Sequence, residues 1–512
     1  MAQSGDIVSP AQSPDSGLET VRTRLRGGIV WGAVGVGSGR VLQFVTTLIL
    51  ARILAPEHFG ALAVALVVQT IALNITELGA TAALARGDRD AKEIAPTIFT
   101  IGLVTSAFLT GAVFLGAPAL AAAMGDPAAT PVVQIMAFTV LLAGLSGVPA
   151  AMVWRDYLQR PRALVEVAGT ACTLVLVIPM ALDGWGAFAL AWSRLGGQLF
   201  TTAGYWLITP QRFRPGFDRR VAAYVLRLGM PLAMANLVVF ATLNLDYIVV
   251  GRELGAAELG VYLLAFNLAS LPSSLITAVI RTVAVPTFGR LHRAGRLAAA
   301  APGMLGISAY LALPVSALLV GLAEPLIRVL YGQAWAGASV AMIGLGIFGA
   351  GRILTEMLAD LCVGAGRTGG LFWVQVAWFV TLLPALLVGA SFSGLAGVGA
   401  AQALVVWLVV LPIYFLLVRN TVGAPIGAMV LRCLPPAVAA AAAGLAGWLV
   451  ANVVGQPLFA VIAGGPTGAA LYLLLTRKYA RQALKSLRTL TASGADGAPL
   501  PASTAAPLSL GS

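Results

Sequence analysis

Apolar residues in this chain come in long unbroken runs, with neither the two-residue alternation of a half-buried strand nor the narrow stripe of a surface helix. From Ile29 almost to Thr476, runs of around 20 residues recur, separated by short polar gaps. A helix rising about 1.5 Å per residue crosses the roughly 30 Å of bilayer hydrocarbon in about 20 residues, with its backbone hydrogen bonds closed inside the segment. The runs predict helices over 28–50, 59–80, 96–118, 131–153, 163–181, 186–208, 227–249, 259–282, 299–322, 337–362, 370–390, 395–418, 430–453 and 458–476. The predicted class is an all-α polytopic membrane protein with about 14 transmembrane helices. Between two of them EPLIRVLYGQAWAG is amphipathic and reads as an outer gap. After about Leu490 the chain turns rich in Ala, Ser, Pro and Gly, and a disordered tail is expected.

Composition agrees: 59% of the 512 residues are hydrophobic and 10% charged, against about 25% charged in a soluble chain. The net charge of +12 would suggest nucleic acid, but its placement does not. Lys and Arg gather in alternate gaps, among them Arg22, Arg24 and Arg26, then Arg86, Arg89 and Lys92, and finally Arg477 to Arg488. The gaps near Gly125, Gly184, Gly394 and Gln456 hold neither. This positive-inside pattern puts both termini in the cytoplasm and excludes nucleic acid as the partner. The polar start, ending in a basic cluster with no apolar core, predicts no cleaved signal peptide. Cys172, Cys362 and Cys433 are scattered singly, and His58 and His292 fall in gaps on opposite sides, so no disulfide, metal or other cofactor is expected. None of the three lysines follows a glycine, so no phosphate-binding loop of an ATPase is present.

ARILAPEHFG from Ala51 and GRELGAAELG from Gly251 align in register, 200 residues apart: Arg52 with Arg252, Leu54 with Leu254, Gly60 with Gly260. Six predicted spans separate the copies, so both face the same side. The chain therefore reads as a cytoplasmic tail (1–27), a six-helix half (28–208), a cytoplasmic linker (209–226), a second parallel six-helix half (227–418), two further helices (419–476) and a basic, then disordered, cytoplasmic tail (477–512). Parallel halves related by an axis along the membrane normal are a transporter plan, with substrate bound in a central cavity.

On these residues a resemblance appears. Trp31 through LARILAPEHFGALAVA to ELGATAALAR, with LNLDYIVVGRELGAAELGVYLLAFNLASLP and VPTFGRL, resembles the bacterial polysaccharide transporters, the oligosaccharide flippases of the multidrug/oligosaccharidyl-lipid/polysaccharide exporter superfamily. The likeness spans Gly28 to Leu291; beyond it, only hydropathy and helix count agree. It implies movement of an undecaprenyl-pyrophosphate-linked oligosaccharide across the bacterial inner membrane, in exopolysaccharide, capsule or O-antigen synthesis, by alternating access without ATP. The implied partners are that lipid-linked substrate, membrane lipid, and polysaccharide polymerase and chain-length proteins. The alternatives are an exporter of drugs or peptidoglycan precursor on the same plan, and a membrane polysaccharide polymerase. The polymerase is disfavoured by outer gaps of at most about fifteen residues, too short for a catalytic domain.

Ionisable side chains inside hydrocarbon are costly and mark candidate sites. Arg40 and Arg194 are lone cations deep in their spans, suited to a diphosphate because guanidinium stays charged and donates bidentately. Arg352, Glu356 and Asp360 are spaced by four on one helix face; they form either a substrate and coupling-ion stripe or a local Arg352–Glu356 pair that neutralises itself. Glu77, Asp246 and Arg281 are gating or coupling candidates, with snorkelling or an interfacial network as their bland readings. Arg52 and Arg252 read as structural anchors of the repeat turns. Gly28, Gly32, Gly35 and Gly39 form a small-residue face for close helix contact beside Arg40. Trp31, Trp154, Trp185, Trp192, Trp206 and Trp335 fit interfacial belts.

Overall fold

In the computed structural model, residues 37–77, 91–156, 158–209 and 214–496 are described, with only the backbone described at 75–77, 91–92, 228–238, 278–286 and 480–496. Gly28, Trp31, Gly32, Gly35, the basic clusters at 22–26 and 86–89, and the chain after 496 lie outside the described residues. The side chains of Glu77 and Arg281 do so as well.

Among the described residues every regular element is helical. They are α1 (37–51), α2 (Pro56–Glu77), α3 (Ala91–Ala123), α4 (Thr130–Arg155), α5 (Gln159–Leu182), α6 (Ala187–Ile208), α7 (Arg219–Leu254), α8 (Ala256–Arg293), α9 (Leu297–Gly321), α10 (Ala323–Leu330), α11 (Ala338–Gly364), α12 (Gly369–Val405), α13 (Leu411–Val422), α14 (Ile426–Val454) and α15 (Pro457–Asp496). Among the described residues ten stretches are long and apolar enough to cross a membrane, which makes this a multi-spanning membrane protein; one of them, Gly369–Val422, holds two of the predicted spans. Those spans part inside α12, where Ser393 and Gly394 leave the helical region and Gly394 takes φ 56°, a conformation that favours glycine. The helices coincide with the predicted runs, though fewer than fourteen meet the length and hydropathy criterion. Helix α6 fails it because Ser193, Arg194, Gln198 and Thr201 interrupt its apolar sequence. Helix α15 continues to Asp496, past the expected start of the disordered tail.

The chain forms two compact units, Met1–Leu263 and Leu264–Ser512. The first takes in α1 to α7 and the first turns of α8, so both repeat turns lie in it. The turns correspond in register and in helix start: α2 starts at Pro56 and α8 at Ala256, again 200 residues apart. Ala51, Phe59 and Gly60 are buried as are Gly251, Leu259 and Gly260, while Arg52 and Arg252 are exposed. The contact between the turns is reciprocal. A Cβ on Gly60 would overlap the Ala256 carbonyl, and a Cβ on Gly260 would overlap the Pro56 carbonyl. Equivalent residues exchanging equivalent contacts is the signature of a two-fold relation, here within one chain.

Asp246 belongs to this packing. It is fully buried on α7, accepts a 2.7 Å hydrogen bond from the Tyr262 hydroxyl on α8, and accepts another at 3.0 Å from the Tyr247 backbone N–H. Tyr247 and Tyr262 meet edge to face at 5.6 Å. A buried carboxylate is tolerable when its lone pairs are taken up in this way.

In the second unit α14 and α15 pack on α9 through small residues, with Gly321 against the Gly444 carbonyl and Gly464 against Gly447. The amphipathic gap forms α10, where Glu324 and Arg328 pair at 2.7 Å, followed by a tight turn at Gln333–Trp335. That turn corrects one expectation. Trp335 is 1% exposed and packs inside the protein, whereas Trp154, Trp185, Trp192 and Trp206 are 37–52% exposed, as an interfacial belt requires.

Candidate functional site

Helices α5 and α6 approach each other through a matched pair of Gly-xxx-Thr steps. A Cβ on Gly169 would overlap the Thr201 hydroxyl, and one on Gly197 would overlap the Thr173 hydroxyl. Small residues let the two backbones meet closely, with the two threonine hydroxyls packed over the glycines of the facing helix. With α1, α2 and α4 the pair encloses a cavity of about 260 Å3, whose lining is wholly within the first unit.

Eleven of its eighteen lining residues are polar: Gln43, Thr46, Thr47, Gln69, Thr139, Thr170, Thr173, Ser193, Arg194, Gln198 and Thr201. The apolar remainder includes Leu50, Phe59, Leu62, Val177 and Leu190. Among the described residues no carboxylate lines it, Arg194 is the one charged group of the lining, half-buried, and no carboxylate pairs with it.

The seven hydroxyls share a property. Each donates its proton to a carbonyl of its own helix: Thr46 to Leu42 (2.8 Å), Thr47 to Gln43 (3.0 Å), Thr170 to Glu166 (2.9 Å), Thr173 to Gly169 (3.2 Å), Thr201 to Gly197 (2.9 Å), Ser193 to Leu190 (3.2 Å) and Thr139 to Met136 (2.5 Å). Thr139 also accepts from the Gln69 amide at 2.5 Å. These hydroxyls thus spend their protons within their own helices, and those of Thr173 and Thr201 lie at the α5–α6 contact.

Arg40 does not line the cavity. It is exposed on α1, seven residues and about two turns before Thr47, hence on the same face as Gln43 and Thr47. Below the cavity, on the same faces of α5 and α6, lies a cluster that sequence reasoning missed. Glu166 Oε1 accepts from Arg162 Nε at 2.9 Å and from the Tyr205 hydroxyl at 2.8 Å. Arg162 lies in the basic gap before the helix predicted over 163–181, and Glu166, three residues inside that helix, is not among the sequence candidates. The four-residue spacing of the pair was the available signal.

The second unit carries the Arg352 stripe on α11. Arg352 Nε donates to Glu356 Oε1 at 3.0 Å, the two side chains being 28% and 31% exposed. Asp360, one turn further, is 2% exposed. Arg352 also borders a void of about 10 Å3 beside Phe266, Ser270, Ser273 and Phe348. This is the self-neutralising geometry weighed from the sequence. Thus Arg194 stands in a polar cavity, Arg352, Glu356 and Asp360 share one helix face, and Arg40 stands apart from both. No group of His, Cys, Asp and Glu among the described residues could hold a metal ion.

With this geometry in hand, similarity to known proteins becomes informative. Residues 49–340 match the family described as polysaccharide biosynthesis protein. Over 355 residues the chain is 30% identical to the succinoglycan biosynthesis transport protein ExoT of Rhizobium meliloti (strain 1021), covering 68% of this chain and 71% of ExoT. It is 22% identical over 421 residues to the lipopolysaccharide biosynthesis protein WzxC of Escherichia coli (strain K12), covering 79% and 83%. Its fold is similar to that of the lipid II flippase MurJ in an inward closed conformation, with TM-score 0.74 at 12% identity over 89% of this chain and 100% of that one. A match to more than half the chain, a relative at this identity and a shared helical architecture converge: the chain belongs to the polysaccharide biosynthesis protein family, among the transporters that its repeat turns resemble.

Proposed function

We propose that the protein is a flippase that moves an undecaprenyl-pyrophosphate-linked oligosaccharide from the cytoplasmic to the outer leaflet of a bacterial inner membrane, with both termini cytoplasmic. The observation that carries this reading is the single guanidinium, with no carboxylate partner among the described residues, in a hydroxyl-lined cavity walled by membrane helices. A lone cation within a membrane helix is expensive, and an anionic ligand offsets that cost. The diphosphate binds Arg194 while the polyprenyl chain stays in the lipid. Alternating access of two six-helix halves then exposes the glycan to the far side. Arg40, on the cavity face of α1, guides the anion inward; Arg352, Glu356 and Asp360 act as the charge-bearing element of the second half, and Glu77, Asp246 and Arg281 tune gating. Polysaccharide polymerase and chain-length proteins take up the product. With no ATP-binding loop, the driving force is an ion gradient or consumption of the product.

The test is Arg194→Ala in the native host. Glycan export is expected to fall at least about 100-fold, as loss of a charge-assisted contact worth about 3 kcal/mol implies, with membrane abundance unchanged and lipid-linked oligosaccharide accumulating on the cytoplasmic side. Arg194→Lys keeps the charge but loses the bidentate fork and should retain partial export. Normal export by Arg194→Ala would refute the cavity as the transport site.

A further inference from the structure

We infer that Tyr472 and Tyr479 of α15 are positioning residues that tie α9 and α14 at their prolines and hold the three helices together while the protein transports. In an α-helix each carbonyl accepts from the N–H four residues on, and a proline at that place has no N–H to give. Pro314 inside α9 thus frees the carbonyl of Tyr310, and Pro436 inside α14 frees that of Arg432. Both helices are among the membrane spans, where an unpaired carbonyl is costly. Helix α15 supplies the missing donors. The Tyr472 hydroxyl donates to the Tyr310 carbonyl at 2.8 Å, and the Tyr479 hydroxyl donates to the Arg432 carbonyl at 3.1 Å.

Tyr472 and Tyr479 are seven residues apart, so one face of α15 carries both hydroxyls and delivers them to two different helices. The Tyr310 ring meets both of theirs, at 5.5 Å from Tyr472 and stacked at 5.8 Å on Tyr479. Gly306, one turn before Tyr310, opens the junction: a Cβ there would overlap the Tyr479 hydroxyl and crowd the Arg432 carbonyl at 3.3 Å. The same pairing recurs in the first unit. Pro149 in α4 frees the Leu145 carbonyl, which accepts from the Trp206 indole of α6 at 3.0 Å. Pro118 in α3 frees the Phe114 carbonyl, which accepts from the Gln134 amide of α4 at 3.4 Å. A neighbouring helix that serves a proline-freed carbonyl is therefore a repeated device of this fold.

A proline whose carbonyl partner is left unpaired is a hinge, because the helix has lost the bond that resists bending there. A donor on the adjacent helix ties that hinge. Both ties in α9 and α14 come from α15, so α9 bends away only by breaking a hydrogen bond and parting the tyrosine rings. Alternating access moves one half of a transporter against the other, and tied prolines keep these helices from absorbing that movement. The tie rests on the transport reading of the protein but not on Arg194 or its cavity.

The test is a substitution cycle on the full chain in nanodiscs, read by thermal unfolding and by hydrogen/deuterium exchange. Tyr472→Phe/Tyr479→Phe keeps the rings and removes both ties. It should lower the unfolding midpoint by about 2–4 °C per bond and speed exchange of the amides around Pro314 and Pro436 about fivefold. In a Pro314→Ala/Pro436→Ala background the restored N–H groups take the two carbonyls, and the same tyrosine substitutions should shift neither readout. Tyr310→Phe, whose hydroxyl makes neither bond, should shift neither in the protein with its native prolines. In the native host the tyrosine double variant should export about two- to fivefold less glycan at unchanged membrane abundance. Equal losses in both backgrounds, exchange that does not quicken, or undiminished export would each overturn the inference. If the alanine background does not fold, exchange in the tyrosine double variant against the Tyr310→Phe control decides it. Normal export by Arg194→Ala would remove the cavity as the transport site and leave this cycle standing, whereas a failed cycle leaves the cavity untouched.

Discussion

The cavity between α5 and α6 and the stripe on α11 both place arginine in membrane helices, and they treat it in opposite ways. Arg352 has Glu356 one turn away and closes a 3.0 Å pair with it. Arg194 has no acid within one turn on its helix, and the polar groups that the neighbouring helices bring to the cavity, among the described residues, are hydroxyls and amides. The first arrangement satisfies the charge internally and suits a structural element. The second leaves the charge without a carboxylate among the described residues, as the proposed binding of an anionic substrate requires. An ionisable residue in a span is thus informative only together with what stands four residues from it and what the adjacent helix presents.

Altering the contact that shapes the cavity should have the largest effect. Gly197→Leu overlaps both the Gly169 backbone and Thr173, so α5 and α6 must separate. Export should be lost and stability reduced by about 3 kcal/mol, an overpacking cost, seen as a lower midpoint of thermal unfolding in detergent. A smaller effect is expected at the stripe. Arg352→Ala leaves Glu356 half-buried and unpaired and should cost about 1–3 kcal/mol, whereas the double variant Arg352→Ala/Glu356→Ala should recover most of it. If the double variant is no more stable than the single one, the pair is not self-contained and the contrast with Arg194 weakens. Tyr205→Phe removes one of two donors to Glu166 and should cost about 0.5–1.5 kcal/mol, again read in the unfolding midpoint. The smallest stability effect belongs to Arg194→Ala: with no carboxylate partner among the described residues left behind, the midpoint should move by no more than about 0.5 kcal/mol even as export collapses. A large loss there would mean that Arg194 supports the fold.

The helices were legible because crossing a bilayer requires runs of a certain length, and that requirement is written one residue at a time. The repeat was legible for a related reason: a turn at one place on two helix pairs keeps its small and apolar residues in register, as at Gly60 and Gly260. Arg194 was visible as a lone charge, and the Arg352–Glu356 alternative as a spacing of four. For Glu166 the sequence offered only its spacing of four from Arg162; its other partner, Tyr205, is 39 residues away on another helix and came to light with the packing. Trp335 was misplaced for the same kind of reason: closeness to a span end suggests an interface, but the turn after α10 folds it inward.

The sequence by itself determined the solvent, the helices and the internal repeat, since each depends on residues near one another along the chain or on direct comparison of two segments. Only the tertiary structure decided which polar faces meet. Gly169 and Gly197 let α5 and α6 close on each other, and that approach gathers scattered threonines into one polar cavity with Arg194. The direction in which a hydroxyl points its proton depends on the backbone carbonyl it finds, and which side chains share a cavity depends on the distance between helices far apart in sequence. Both belong to the packed chain rather than to the order of its residues.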